Sequence, residues 1–421
     1  MKNILIVTRY FPPLSSAGAS IRLVKIIKYA SQQGWSFNVL TQDQDHPVIQ
    51  ELTMSEFLLK EIPVSTIITR VGDPFHNNGI LKRIKQKFFH NSSIPWGLAV
   101  VSSGWKKYHR SKPDLIFVNS PPFTNVTVGA ILSKLFSIPF ILDMKDDWVG
   151  SPEYYNKGRL RKKIESSIEK SVLQKASAVI TPTIQSYEAW TKRYSPHGLE
   201  NKIRYIPNGE DLDEFKFLFR KKRNLNNQRF RILSSASGYR KEYRDLSPFL
   251  KALELFVNNN PNSITQIELE FLGEEPDAYF KHWLRKLLPT SAVHYCGVVD
   301  RKELVIRMWQ ADLFFLVQPY ENFSSISGTL YEYWAVGKAP VLLFSETGAS
   351  SNLVINNFLG KHFNFDQVEE ASNYIEQIYN GYLNEKPIWI ERSGVEAFDR
   401  KKLVNEMIAI WEEIINDDKK V

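Results

Sequence analysis

The first forty residues, MKNILIVTRYFPPLSSAGASIRLVKIIKYASQQGWSFNVL (1–40), decide the fold class. They contain the short apolar run Ile4–Val7, a helical pattern near Ser20–Gln33 and a second apolar run, Phe37–Leu40. Short, continuous apolar runs that alternate with helices are typical of a parallel sheet covered by helices on both faces. This stretch therefore predicts an α/β domain whose first strand is buried.

The same alternation continues along the chain in two series, which a turn signal at Pro207-Asn208-Gly209 separates. The irregular basic stretch 215–229 follows that turn. We therefore predict two α/β domains, 1–212 and 213–400, with ligands bound at the carboxyl ends of the strands in a cleft between facing sheets. The first series continues with strands at Asp114–Val118, Phe140–Leu142 and Ala178–Ile180 and helices at Thr124–Leu135 and Lys162–Gln174; the second has strands at Phe230–Ser234, Gln266–Phe271, His294–Tyr295, Leu313–Leu316 and Val341–Phe344.

The composition and the motifs that are absent exclude several classes of protein. The chain has 421 residues, of which 43% are apolar and 24% charged, as in an ordinary globular protein. A single cysteine, Cys296, excludes a disulfide framework and a cysteine-based zinc site. No apolar run reaches the ~18 residues that span a bilayer, and the amino terminus has too short an apolar core for a signal peptide, so we expect a cytoplasmic protein. The absence of a G-x-G-x-x-G motif and of a Walker loop argues against dinucleotide-dependent oxidoreductases and P-loop NTPases.

The net charge of +8 equals the charge of one segment, residues 74–113, which has eight basic and no acidic residues. Residues 79–89 would form a helix with one apolar and one basic face, and two tryptophans follow. This pattern fits a segment in a membrane interface, a site for a phosphate-bearing lipid acceptor, or a core-facing helix with a solvated back. No nucleic-acid motif accompanies the charge, so we expect no nucleic-acid partner. The candidate acceptor or membrane residues are Lys82, Arg83, Lys85, Lys87, Trp96 and Trp105.

Six motifs occur in order: Tyr10-Phe11-Pro12-Pro13 with Gly18 and Arg22; Pro113–Val118 with Ser120-Pro121-Pro122; Pro139–Asp143 with Lys145–Trp148; Lys175–Thr181; Ile206–Gly209; and Ser327–Tyr333 with Gly337. Together they resemble the family 4 glycosyltransferases over nearly the whole chain. The resemblance implies the GT-B fold, in which two Rossmann-like domains face each other across a cleft. It also implies a last helix, Lys401–Ile415 within 401–421, that returns to the first domain. The implied reaction is sugar transfer from a nucleotide donor with retention and without a metal ion.

The resemblance places the donor site in the second domain. Ser327, Gly328, Thr329 and Leu330 would open a helix whose first N–H groups and positive dipole end can hold phosphate. One turn later, Glu332 matches the glutamate that accepts hydrogen bonds from the donor ribose. A further glutamate, which contacts the donor sugar in relatives, normally lies eight positions earlier, where this chain has Ser324.

Two other segments of the second domain match donor-binding positions of the family. Gly238, Arg240 and Arg244 lie where relatives clamp the pyrophosphate with an arginine and a lysine, and a guanidinium suits that task. The alternative is a solvated basic loop. Gly297 and Val298 fall where the family presents backbone groups to the nucleobase.

In the first domain, Gly18 belongs to the expected loop beneath donor and acceptor. Lys145 and Asp146 occupy a position where relatives carry His-Asp or Arg-Asp. We expect Lys145 to stabilise the attacking or leaving oxygen, and to act as a base only if its pKa is strongly lowered. The alternative is a structural ion pair of Asp143 with Lys145 and Asp146. We expect no metal, although Asp211-x-Asp213 is a possible carboxylate pair.

These features predict a retaining, metal-independent glycosyltransferase that uses a nucleotide sugar and acts on a glycan or lipid-linked acceptor. We expect it at the inner face of the cell membrane, in cell-surface polysaccharide biosynthesis, as a peripheral protein. Two alternatives remain open. Ser324 favours a non-catalytic GT-B subunit that binds nucleotide or glycan in support of a partner enzyme, and a GT-B sugar-nucleotide epimerase would form product without an acceptor.

Overall fold

The computed structural model describes residues 2–15, 19–43, 53–54, 56–74, 93–150, 158–220 and 229–419. The chain divides into two compact units: unit 1 is Met1–Pro207 with Arg400–Val421, and unit 2 is Asn208–Asp399. The predicted boundary at 212 lies five residues further along the chain. The reason is local: the backbone N–H of Glu210 donates to the carbonyl of Phe398, and the Glu210 carboxylate binds Arg301, which ties this segment to unit 2.

Unit 1 is built on a parallel sheet of seven strands in the order β5-β3-β1-β6-β7-β8-β9. Its helices and strands within Met1–Pro207 are β1 (Asn3–Val7), β2 (Leu14–Ser15), α1 (Ala19–Ser31), β3 (Ser36–Gln42), β4 (Thr53–Met54), α2 (Glu56–Lys60), β5 (Ile67–Val71), α3 (Ile94–Tyr108), β6 (Leu115–Ser120), α4 (Thr124–Phe136), β7 (Phe140–Met144), α5 (Arg159–Lys175), β8 (Ala178–Thr181), α6 (Ile184–Tyr194) and β9 (Ile203–Tyr205). Strands β2 and β4 form a separate antiparallel pair.

Strand β1 is buried on both faces, as its continuous apolar run predicts. Leu5 and Val7 pack into the core beneath α3, α4, α5 and α6, whereas Ile4 and Ile6 pack into a second core on the opposite face. This alternation follows from the two-residue repeat of a strand. The sheet of unit 1 therefore lies between two helical layers.

Unit 2 contains a parallel sheet of six strands in the order β12-β11-β10-β13-β14-β15. Its elements are β10 (Phe230–Ser234), α7 (Ser247–Asn259), β11 (Ile267–Phe271), α8 (Ala278–Leu287), β12 (Val293–Tyr295), α9 (Arg301–Gln310), β13 (Leu313–Val317), α10 (Gly328–Val336), β14 (Val341–Phe344), α11 (Ala349–Asn356), β15 (Gly360–Phe363) and α12 (Val368–Leu383). One continuous apolar core surrounds the sheet.

The last helix, α13 (Arg400–Asp418), belongs to unit 1 and packs with α1 on the second face of its sheet. Trp411 is completely buried there and makes edge-on contacts with the rings of Trp35, Phe37 and Phe117 at 5.2, 6.2 and 5.7 Å between centroids. The predicted return of the last helix to the first domain is therefore confirmed.

Candidate functional site

Helix α10 is the element of unit 2 that carries the predicted phosphate and ribose residues. It begins at Gly328, directly after Ser327, and ends at Val336, and the next residue, Gly337, adopts the left-handed conformation. The hydroxyl of Tyr333 accepts a hydrogen bond from the backbone N–H of Ser235 at 2.9 Å, and its ring stacks on Phe314 at 4.0 Å. Ser235 directly follows β10, and α10 follows β13, the neighbour of β10 in the sheet, so the helix begins at the carboxyl edge of the sheet.

The predicted phosphate residues Ser327, Gly328, Thr329 and Leu330 form the amino-terminal turn of α10. The side chain of Ser327 makes no capping hydrogen bond, and the backbone of Leu330 donates to the carbonyl of Ser327 at 3.0 Å. The first N–H groups of a helix lack partners within it and carry partial positive charge. This turn can therefore donate hydrogen bonds to an anion; that it binds phosphate stays a prediction.

The loop before α10 is anchored on both sides of Ser324. The carbonyl of Phe323 accepts a hydrogen bond from Ala349 at 2.7 Å, and the carbonyl of Ser325 accepts one from the Ser350 hydroxyl at 3.1 Å. Ser324 itself is half-buried. Ser324 therefore has a short hydroxyl at the position where the family resemblance implies a longer carboxylate. The hydrogen bonds on either side hold the backbone of this loop in place.

Glu332 lies in a cluster of three carboxylates around one guanidinium, that of Arg301. Arg301 donates through Nε to Glu214 at 2.6 Å, through Nη2 to Glu210 at 2.8 Å, and through Nη1 to Oε1 of Glu332. The four side chains are between 4% and 16% exposed. Burial raises the pKa of Glu332; Arg301 opposes this shift and Glu210 adds to it. One oxygen of the predicted ribose ligand is thus held by Arg301.

Arg301 was missed by the sequence analysis. Its partners lie 31, 87 and 91 residues away along the chain, so no local spacing indicates the cluster. The sequence did contain one local indication of an acidic partner, because Glu210 directly follows the Pro207-Asn208-Gly209 turn. That turn does not indicate which cation Glu210 binds.

The predicted pyrophosphate arginines differ in their surroundings. Arg240 is exposed and pairs with Glu274. Arg244 is half-buried: its Nη1 donates to the carbonyl of Ser237 at 3.1 Å, and its Nε is buried without a hydrogen-bond partner among the residues described. Gly238, at φ +80°, makes the turn that Arg244 contacts after β10. Arg244 therefore lies at the same sheet edge as the start of α10.

The predicted nucleobase segment follows β12. Gly297 adopts φ +62°, and its carbonyl accepts a hydrogen bond from the backbone N–H of Gly273 at 2.7 Å. Val298 is 64% exposed. This segment thus also lies at the carboxyl edge of the unit 2 sheet, with Val298 open to solvent.

In unit 1, Lys145 follows β7 beside a buried ion pair. Arg22 binds Asp143 with two hydrogen bonds of 3.1 and 3.2 Å, and also donates to the carbonyls of Ile206 and Pro207. The Asp143 carboxylate is therefore held by Arg22, which was quoted above only as part of a motif. Asp146 is exposed.

Lys145 has an unusual protonation equilibrium. It is half-buried, and burial lowers the pKa of its ammonium group to about 7. Asp143 opposes the shift, whereas Arg22 and Arg400 reinforce it. A lysine with this pKa exchanges a proton near neutral pH, which is the condition stated above for a base.

The segment after Asp146 is fixed by a second network, which the sequence analysis missed. Asp147 binds Arg193 through both carboxylate oxygens at 2.6 and 2.7 Å. Glu169 accepts hydrogen bonds from the Tyr194 hydroxyl at 2.5 Å and from the backbone of Val149 at 3.0 Å. Burial raises the pKa of Glu169 to about 7. These contacts anchor the residues that directly follow Lys145 and Asp146.

The structure corrects one candidate membrane residue. Trp96 is completely buried, and its Nε1 donates to the carbonyl of Val71 at 3.1 Å, because it lies on the inner face of α3. Trp105 is 42% exposed and stacks on Phe136 at 5.8 Å. No helix within the described ranges has the length and apolar character to cross a bilayer. The helix expected at 79–89 lies outside the described residues, and so do Gly18, Lys82, Arg83, Lys85 and Lys87.

The possible metal-binding pair Asp211-x-Asp213 is used in local contacts. Asp213 pairs with Lys216 at 2.6 Å, and Oδ1 of the buried Asp211 accepts the backbone N–H of Asp213 at 3.3 Å.

Two family models match the chain: Glycosyltransferase Family 4 over residues 16–214 and Glycosyl transferases group 1 over residues 215–393. No curated protein matches the sequence. Among solved structures, a glycosyltransferase from Rickettsia africae is 15% identical, with a TM-score of 0.64 and coverage of 98% of both chains. Sucrose-phosphate synthase from Thermosynechococcus elongatus is 16% identical, with a TM-score of 0.61 over 100% of this chain and 99% of that one. A lipopolysaccharide outer core galactosyltransferase is 12% identical, with a TM-score of 0.58 over 97% and 99%. At these identities the structures share the fold.

Proposed function

The chain belongs to the family 4-type glycosyltransferases and has the GT-B fold, and from that premise we propose that it transfers a sugar from a nucleotide-sugar donor with retention and without a metal ion. The proposed acceptor is a glycan or a lipid-linked sugar, in cell-surface polysaccharide biosynthesis at the inner face of the membrane.

The observation that supports this proposal is that backbone hydrogen-bond donors and a guanidinium lie at one edge of the unit 2 sheet. The first turn of α10 offers backbone N–H groups, and Arg244 follows the neighbouring strand β10. In glycosyl transfer the leaving pyrophosphate gains negative charge in the transition state. Donors already in place for that charge lower the barrier, and they supply what a metal ion would otherwise provide.

Glu332 supports recognition of the nucleotide ribose. Arg301 binds Oε1 and thereby fixes the orientation of Oε2, the carboxylate oxygen that we assign to a ribose hydroxyl. A carboxylate oxygen has the acceptor capacity that this contact needs. In this proposal Arg301 is a positioning residue and does not touch the donor.

Lys145 supports the acceptor half of the reaction. With a pKa near 7, both protonation states are populated at neutral pH. The ammonium form stabilises negative charge on the attacking or leaving oxygen, and the neutral amine can take the proton of an acceptor hydroxyl.

The test is a thermal-shift screen of purified protein with UDP-, GDP-, ADP- and CMP-sugars, followed by turnover of the stabilising donor with EDTA present. The proposal predicts nucleotide release that is insensitive to EDTA and strongly reduced in Arg244→Ala. Ser324 favours the non-catalytic subunit as a second candidate. That candidate predicts donor binding without turnover even when membranes supply acceptors, and an epimerase predicts an altered sugar nucleotide without any acceptor.

A further inference from the structure

Helices α3, α4 and α5 belong to one outer layer of unit 1, which also contains α6, and their solvent side is rich in apolar side chains. Seven large apolar side chains on these helices are between 42% and 74% exposed. Each helix carries them on one stripe, because successive members are four or seven residues apart. They are Ile94, Leu98 and Trp105 on α3, Ile131 and Leu135 on α4, and Leu160 and Ile164 on α5.

The three stripes belong to one surface. Helices α3 and α4 run side by side: Gly97 lies against Thr124 and Val128, and Trp105 stacks on Phe136. Helix α5 packs against α4, and the inner faces of all three helices enter the same core. The exposed stripes therefore share the outer side of this layer.

The same layer is strongly basic. The three helices carry nine lysines and arginines against two glutamates, and α3 and α4 have no acidic residue. Both glutamates are already engaged: Glu165 accepts hydrogen bonds from Trp148 and Arg161, and Glu169 is buried. Arg159 and Lys163 are exposed beside Leu160 and Ile164.

The opposite helical layer of unit 1 provides a contrast within the same domain. Helices α1 and α13 together carry six basic and five acidic residues. Neither helix has an exposed large apolar side chain among its described residues. Helices α1 and α13 therefore lack the combination of apolar and positive character that α3, α4 and α5 have, so this combination does not follow from the net charge of the chain.

We propose that the α3–α4–α5 layer docks on an anionic lipid bilayer. Aliphatic and tryptophan side chains partition into the boundary between headgroups and acyl chains, while lysines and arginines beside them meet anionic headgroups. A nucleic acid would use the charge but not the aliphatic stripes, because its phosphates dominate binding. The docking surface rests on its own observations; only its purpose, to bring unit 1 to a lipid-linked acceptor, rests on the proposed function.

The test is cosedimentation of the full chain with phosphatidylcholine vesicles that contain or lack phosphatidylglycerol. The wild type is expected to bind only the anionic vesicles, and less tightly as salt shortens the Debye length. Reversing two exposed cations, with Arg159→Glu and Lys163→Glu, should weaken binding by roughly 25-fold or more, since each cation near an anionic surface contributes roughly fivefold. The matched control is Lys401→Glu with Lys402→Glu on α13, which makes the same charge change on the opposite layer and should have little effect.

A second variant separates docking from simple charge attraction. Leu98→Gln with Leu160→Gln keeps the charge, alters only exposed side chains and should also reduce vesicle binding. Unchanged binding of this variant would overturn the proposal, as would equal losses in the α5 and α13 charge variants. Absence of wild-type binding at low salt would overturn it too, and so would self-association of the chain through this layer. Donor binding measured in parallel distinguishes these failures from failure of the proposed function.

Discussion

Replacing Arg301 by glutamine would leave three carboxylates, those of Glu210, Glu214 and Glu332, without their shared cation. Removing one partner of a buried ion pair costs about 3–5 kcal/mol. These side chains are at most 16% exposed, so solvent screens little of that loss. For a unit the size of Asn208–Asp399 each kcal/mol lowers the melting temperature by roughly 2–4 °C, so we expect a loss of about 6–20 °C.

The loss should also depend on pH. The folded state raises the pKa of Glu332, so the destabilisation caused by its ionisation appears only as pH rises above the ordinary carboxyl range. Without Arg301, burial and the neighbouring Glu210 carboxylate raise the pKa of Glu332 with nothing to oppose them. Protonation of Glu332 at about pH 5 should therefore recover part of the lost stability. The difference in melting temperature between Arg301→Gln and the wild type should therefore be smaller at acid pH than at neutral pH.

The assay is differential scanning calorimetry at neutral pH and at about pH 5. The matched control is Arg240→Gln, which removes the exposed pair with Glu274 and should cost at most about 1 kcal/mol. Equal losses for the Arg301 and Arg240 variants would refute the claim that the cluster supports unit 2. A loss for Arg301→Gln that does not change with pH would refute its electrostatic origin.

Four further outcomes are expected. Glu332→Ala should weaken binding of the preferred nucleotide by about 1.5–3 kcal/mol in calorimetry, and unchanged affinity in a folded variant would remove Glu332 from the site. Arg244→Ala should lower the turnover rate more than donor affinity, because the clamped charge develops in the transition state; an equal effect on both would argue for ground-state binding alone. Wild-type turnover should rise with pH through about 7 as the Lys145 amine loses its proton and becomes a base for the acceptor hydroxyl, and Lys145→Met should remove that rise; a fall through this range would instead assign the catalytic role to the ammonium form, and a rise that persists in the variant would assign it to another group. Glu169→Gln should flatten the decline in wild-type thermal stability between about pH 4.5 and about pH 7, because the folded-state pKa of Glu169 is raised across that window.

The central strands of both sheets could be predicted from the sequence because burial on two faces requires continuous apolar runs. Phe230–Ser234 and Val341–Phe344 have the predicted bounds. The strands of the two large sheets that were missed, Ile67–Val71, Ile203–Tyr205 and Gly360–Phe363, all lie at sheet edges. Edge strands are only partly buried, so polar residues interrupt their apolar pattern and hide them.

Site residues that are adjacent in the sequence could be predicted, whereas site residues that only the fold brings together could not. Ser327–Leu330 is one continuous stretch, and the structure places it at the start of a helix as predicted. Arg301 joins three carboxylates from two distant segments, Glu210 with Glu214 and Glu332, which no spacing in one sequence indicates. Trp96 was predicted wrongly because residue type suggested an interface; the spacing of Trp96, Val100 and Tyr108 instead indicates the inner face of one helix.

The central claim, that this chain is a retaining and metal-independent glycosyltransferase, is tested most directly by NMR of a reaction with the stabilising nucleotide sugar. Purified protein would be incubated with that donor, EDTA and a membrane extract as acceptor source. We predict free nucleotide together with a new glycosidic anomeric signal of the same configuration as the donor. A product of inverted configuration would contradict retention, and turnover that requires added magnesium or manganese would contradict the metal-independent mechanism. Donor binding without any product would identify the chain as a non-catalytic subunit.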